Sequence, residues 1–224
     1  MFDSDENDWA SDLFSLLVKA EVSLFPYIPD AGNAKLIELA YAHNETLPIL
    51  LTSEEEGVAV CAGADLVGRR SILCMQSSGV GNCPNILSLV NGGKFPILLF
   101  VSMRGDYGEE NPWQYPMGQA VEPILHAMGV LTFRIDLLQD MEKATKAALS
   151  ATGKGGHAAA IILSQKFLGA KALDIVIGTG DGSLLFGSII GLGLFAAAYS
   201  LWGGLAAVAW TDVIQVVLLI FGGL

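Results

Sequence analysis

An α/β fold with a six-stranded parallel sheet and helices on both faces is predicted by three features of the 224-residue sequence. Short apolar runs alternate with amphipathic stretches, the order that builds a sheet covered by helices. Most of these runs are continuously apolar, as in strands buried on both faces. Polar, glycine-rich segments follow several of them directly, and an open α/β sheet receives ligands at the carboxyl ends of its strands. In chain order the reading is helix 8–21, strand 25–28, helix 31–44, strand 47–51, helix 54–67, strand 71–75, helix 82–92, strand 96–101, helix 118–128, strand 131–135, helix 139–151 and strand 158–163.

Charge density then divides the chain. Residues 1–171 carry charge throughout, whereas 172–224 contain only Asp174, Asp181 and Asp212 and no Lys or Arg. The runs 184–201 and 205–224 each approach the roughly 20 residues that span a bilayer. They predict two hydrophobic, transmembrane helices meeting near Gly203 and Gly204, where glycine suits a tight reversal. A buried helical hairpin is the alternative. The expected division is therefore an enzyme-like domain, 1–171, and a hydrophobic helical segment, 172–224. Lys166 and Lys171 precede the first run, which places 1–171 in the cytoplasm with 184–224 as membrane anchor.

Twelve Lys and Arg against 23 Asp and Glu give a net charge of −11, which argues against a protein that tracks nucleic-acid phosphates. Acidic residues crowd the first twelve positions, where a secretory signal needs basic residues and an apolar run. Cys61, Cys74 and Cys83 form no metal-ligand spacing and suit a reducing compartment.

The segments after the strands carry the chemistry. Glu54, Glu55 and Glu56 open a helix, where carboxylates complement the helix dipole and face water without further role. Gly79-Val80-Gly81-Asn82 is compatible with an ordinary strand-to-helix turn capped by Asn82, and it lacks the Lys of a phosphate-cradling loop. Arg104 suits an anionic substrate group or, equally, an ion pair with Asp106 or Glu109.

Taken together and in order, residues 27–32, 52–64, 75–82 and 111–120 resemble the pyrimidine-binding domain of thiamine diphosphate enzymes, and more narrowly the alpha subunits of sulfopyruvate and phosphonopyruvate decarboxylases. The resemblance covers about residues 20–171. It implies half of a thiamine-diphosphate-dependent 2-oxo acid decarboxylase, with a diphosphate-binding beta subunit completing the site in a hetero-oligomer and holding Mg²⁺; no metal ligand is expected in this chain. Aligned on Gly57, the family's catalytic glutamate falls on Glu55, whose carboxyl serves N1′ of the cofactor's aminopyrimidine. Glu54 and Glu56 then become helix-face residues. The resemblance assigns Asp30, Gly32, Gln76, Ser78, Gly79 and Asn82 to the cofactor and Arg104 to a small anionic 2-oxo acid.

Gly180-Asp181-Gly182 looks like the start of a diphosphate and Mg²⁺ motif, but no Asn occurs after Asn111, so it reads as a decoy. Residues 199–219 resemble a segment of the sodium/solute symporter family. Two spans cannot form an alternating-access path, which makes transport by this chain improbable. A symporter fragment with a cytoplasmic extension, or an inactive binding module, are the competing readings.

Overall fold

The computed structural model describes residues 9–109 and 111–169. The chain divides into a unit Met1–Gly169 and a second unit Ala170–Leu224. The two predicted hydrophobic helices and Gly180-Asp181-Gly182 lie outside the described residues. Among the described residues no helix is long and apolar enough to cross a membrane.

The elements run α1 (Trp9–Lys19), β1 (Val22–Tyr27), α2 (Ala34–Ala42), β2 (Leu47–Leu50), α3 (Glu54–Leu66), β3 (Arg70–Gln76), α4 (Ser77–Val80), α5 (Pro84–Gly93), β4 (Leu98–Ser102), α6 (Gln114–Ala127), β5 (Leu131–Ile135), α7 (Leu138–Gly153) and β6 (Ala159–Leu163). All six strands join one sheet in the order β2-β1-β3-β4-β6-β5, and every neighbouring pair is parallel. The predicted sheet is therefore present.

Period-2 geometry sorts the strand side chains onto two faces. Ile72 and Cys74 of β3, Phe100 of β4 and Ile161 of β6 pack with Leu13, Leu17 and Leu36 of the first two helices. Leu73 and Met75, Leu99 and Val101, and Ile162 face the other way, against Val58, Leu87 and Leu125. Every residue of β4 and β6 is buried, whereas the edge strand β2 exposes Leu47 and Leu50. That contrast explains why the central strands read as continuous apolar runs.

Two boundaries matter for the site. The stretch after β3 contains a single helical turn, α4, where the sequence reading has only a glycine-rich loop. Helix α6 begins at Gln114, four residues before the predicted start, and within it Gly118 lies against the backbone oxygens of Arg104 and Gly105, where a Cβ would approach both at 2.4 Å. Since all strands are parallel, the segments following β1, β2, β3 and β4 share one edge of the sheet.

Candidate active site

The acidic start of α3 separates into three environments. Ser53 is the N-cap and accepts a bond from the Glu56 amide at 3.4 Å. Glu56 reaches back to accept bonds from the Thr52 amide and hydroxyl at 2.8 and 2.7 Å, a variant of the capping box. These bonds, the Thr52 amide first, hold its carboxyl below the ordinary value. Glu55 is exposed. Glu54 is the carboxylate turned inward, only 9% exposed.

Helical geometry produces this sorting. Glu54, Gly57, Val58 and Cys61 stand at i, i+3, i+4 and i+7 and form the buried face of α3. Gly57 fits because a Cβ there would meet Leu73 at 2.3 Å and Leu51 at 2.7 Å. Glu55, one position after Glu54, points about 100° away from that face. Alignment on Gly57 selects Glu55, which is exposed at this helix start, whereas Glu54 is the carboxylate of the three that packs into the buried face.

Glu54 lies across the loop that follows β3. A Cβ on Gly79 would sit 2.4 Å from Glu54 Oε1 and 2.6 Å from its Cδ, so the missing side chain is the space the carboxyl occupies. Asn82 Nδ2 donates to Glu54 Oε2 at 2.8 Å. Below them, the Cys83 thiol donates to the Gly79 carbonyl at 3.4 Å. Burial, followed by the charges of Glu54 and Glu55, pushes that thiol up to about 12, so it remains protonated at neutral pH and is no nucleophile. Burial likewise raises the Cys61 thiol to about 12 and the Cys74 thiol further.

A second polar assembly joins the ends of three adjacent strands. Asp30, after β1, accepts bonds from Gln76 Nε2 at 2.7 Å, Ser102 Oγ at 2.6 Å and the Gly32 amide at 2.9 Å. Gln76 in turn accepts from Ser78 Oγ at 3.0 Å. Gly32 has no room for a side chain, since a Cβ would lie 2.5 Å from that of Ser102. Of the residues assigned to the cofactor, Asp30, Gly32, Gln76 and Ser78 thus form one connected group, and Gly79 and Asn82 form another with Glu54. Ser102 belongs to the first group and was not singled out by the sequence; as a buried polar residue ending an apolar strand, it carried the available signal.

Arg104 is engaged by Glu109. Its Nε and Nη2 each donate at 2.6 Å to one oxygen of the Glu109 carboxylate, a bidentate pair, and the Arg104 side chain remains 42% exposed. Glu109 is buried and also accepts from the Gly105 and Asn111 amides and from Gln165 Nε2. Arg104 first, then these neutral donors, hold the Glu109 carboxyl far below its ordinary value. Asp106 pairs instead with Arg134. Glu109 and Gln165 therefore shape the loop between β4 and α6, and Arg104 is one strut of it. Among the described residues no group of three or more His, Cys, Asp or Glu is placed to hold a metal ion.

The chain is similar to decarboxylases. The sulfopyruvate decarboxylase subunit alpha of Methanocaldococcus jannaschii is 32% identical over 156 residues, 69% of this chain and 92% of that protein. The phosphonopyruvate decarboxylase of Streptomyces viridochromogenes is 32% identical over 134 residues, 59% of this chain but 31% of that protein. In fold, the chain is similar to a 2-oxoglutarate:ferredoxin oxidoreductase from Magnetococcus marinus, with a TM-score of 0.54 and 13% identity over 71% of this chain and 29% of the other. The Sodium:solute symporter family matches residues 115–224, a wider span than the C-terminal segment that suggests it in the sequence. Within that span α6, β5, α7 and β6 belong to the parallel sheet domain.

Proposed function

The chain belongs to the family of sulfopyruvate decarboxylase alpha subunits, and from that premise we propose that residues 1–171 form the pyrimidine-binding half of a thiamine-diphosphate-dependent enzyme that decarboxylates sulfopyruvate or phosphonopyruvate. The observation that supports this reading most is Glu54, a nearly buried carboxylate laid over a glycine and held by Asn82 at the carboxyl edge of the sheet. Residues and cofactor are matched in chemistry: an aminopyrimidine ring nitrogen needs a carboxyl partner, and Gly79 leaves room for that carboxyl.

Thiamine diphosphate, when bound, supplies the electron sink that a 2-oxo acid needs to lose carbon dioxide. In this assignment Glu54 carries the role that the family resemblance gave to Glu55. Glu54 holds and returns a proton at the pyrimidine N1′, Gly79 leaves the room that its carboxyl occupies, and Asp30, Gly32, Gln76 and Ser78 fix the floor beside it. Arg104 keeps its Nη1 outside the pair with Glu109 and offers it to the sulfonate or phosphonate of the substrate.

A partner subunit is assigned the diphosphate and Mg²⁺. This chain spans nearly the whole of an alpha subunit, whereas the corresponding region is 31% of the Streptomyces phosphonopyruvate decarboxylase chain. The apolar runs of 184–224 and the symporter match support a membrane-associated tail that leaves residues 1–171 in the cytoplasm. Calorimetric titration tests the half-site: thiamine diphosphate with Mg²⁺ is expected to bind a mixture of the full-length chain and a sulfopyruvate decarboxylase beta subunit at least about tenfold more tightly than either alone, a difference of about 1.4 kcal/mol. Equal affinity for the chain alone would overturn the assignment of the diphosphate to a partner.

A further inference from the structure

We infer that Asn82 is a positioning residue for the Glu54 carboxyl, committing Oε2 so that Oε1 is the oxygen presented to a ligand. The inference rests on the reading of Glu54 above and adds the residue that aims it.

Asn side chains usually bond to nearby backbone, capping helices or closing turns. Asn82 stands two residues before α5 and has that opportunity, yet its amide crosses to a carboxylate 28 positions earlier. The N-cap of α5 is Cys83, which makes no side-chain cap, and the helix begins on Pro84, which needs no amide partner. Helix initiation therefore does not explain the Asn82 side chain.

Glu54 has two constraints. Its Oε1, Cγ and Cδ pack over the bare Cα of Gly79, and Oε2 is held by Asn82 at 2.8 Å. Asn82 itself is exposed, so the bond reaches toward the surface of the domain. A carboxylate with one oxygen engaged by a neutral donor keeps the other free as an acceptor or proton carrier in a fixed direction. An unheld glutamate at a helix start would instead sample rotamers toward water.

Replacement of Asn82 by Asp separates positioning from helix support. Aspartate keeps the shape, and near a helix N-terminus it is neutral or favourable. Beside Glu54, however, it removes the donor and sets two carboxylates in contact, which drives the Glu54 side chain away. Positioning therefore predicts that Asn82→Asp is worse than Asn82→Ala, the reverse of the order for a helix-start residue.

The experiment uses the full-length chain with its beta subunit. Asn82→Asp should lower kcat by about 100-fold and Asn82→Ala by about tenfold, with substrate KM and Tm nearly unchanged. In the ¹⁵N-labelled chain without cofactor, Glu54→Ala should shift the Asn82 side-chain amide resonances while Glu55→Ala leaves them in place, a readout independent of turnover. Asn82→Asp as active as wild type, or amide resonances indifferent to Glu54→Ala, would overturn the inference even where Glu54→Gln is inactive. Full activity in Glu54→Gln would instead overturn the reading of Glu54 on which it rests.

Discussion

Glu54→Gln lowers kcat of the assembled enzyme by at least about 100-fold, and Glu55→Gln leaves it within about twofold of wild type, because only the first removes a positioned proton donor and acceptor. The amide is nearly isosteric and retains an oxygen for Asn82, so the fold should persist. Glu55 lies in water on a helix face, where surface substitutions have small effects. Glu56→Gln would weaken the cap over Thr52 and should appear as lost stability before lost turnover. Steady-state kinetics and thermal unfolding of the three variants separate these roles. Equal loss of turnover at all three positions would make the acidic turn merely structural; loss confined to Glu55 would restore the register read from Gly57.

Gly79→Ala should be the second most damaging change, with kcat down by about 100-fold through displacement of Glu54 by an ångström or more. The new Cβ would lie 2.4 to 2.6 Å from three atoms of the Glu54 side chain, which must move. Gly79 lies inside the turn α4 and outside the left-handed region, so alanine fits its backbone. Alanine is also the better helix former, and Tm should stay level or rise while turnover falls. Gly63→Ala is the control: nothing lies within 4 Å of its added Cβ, and activity should be unchanged. A Gly79→Ala enzyme with normal turnover would show that the carboxyl works from another position.

The sheet was legible because its centre is unambiguous. Strands β3, β4 and β6 are buried on both faces, which forces continuous apolar runs of strand length, and all six predicted strands overlap observed ones. Strand ends were less legible: β1 begins at Val22, three residues before the apolar signal, since Val22 and Leu24 alternate with the partly exposed Ser23. The site was legible by segment and not by atom. Residue order located the loops after β1, β2, β3 and β4, but which carboxylate of the acidic turn is buried is decided by the packing of α3 against Leu51 and Leu73. The helical repeat Glu54, Gly57, Val58, Cys61 marks which carboxylate is buried, and alignment on one glycine does not use that signal. Arg104 illustrates a different limit. Its alternatives, Asp106 and Glu109, are both near in sequence, and only the fold of the loop, which buries Glu109 against Gln165, decides between them.

The proposal that this chain is the glutamate-bearing half of a decarboxylase completed by another subunit is tested most directly by carbon dioxide release from sulfopyruvate and phosphonopyruvate, with saturating thiamine diphosphate and Mg²⁺, when the full-length chain is assayed alone, with a beta subunit, and with that subunit as Glu54→Gln. Turnover of one of the two acids is expected in the mixture, at least about 100-fold less with Glu54→Gln, and none above background from the chain alone. Turnover by the chain without a partner, or an active mixture indifferent to Glu54→Gln, would contradict it.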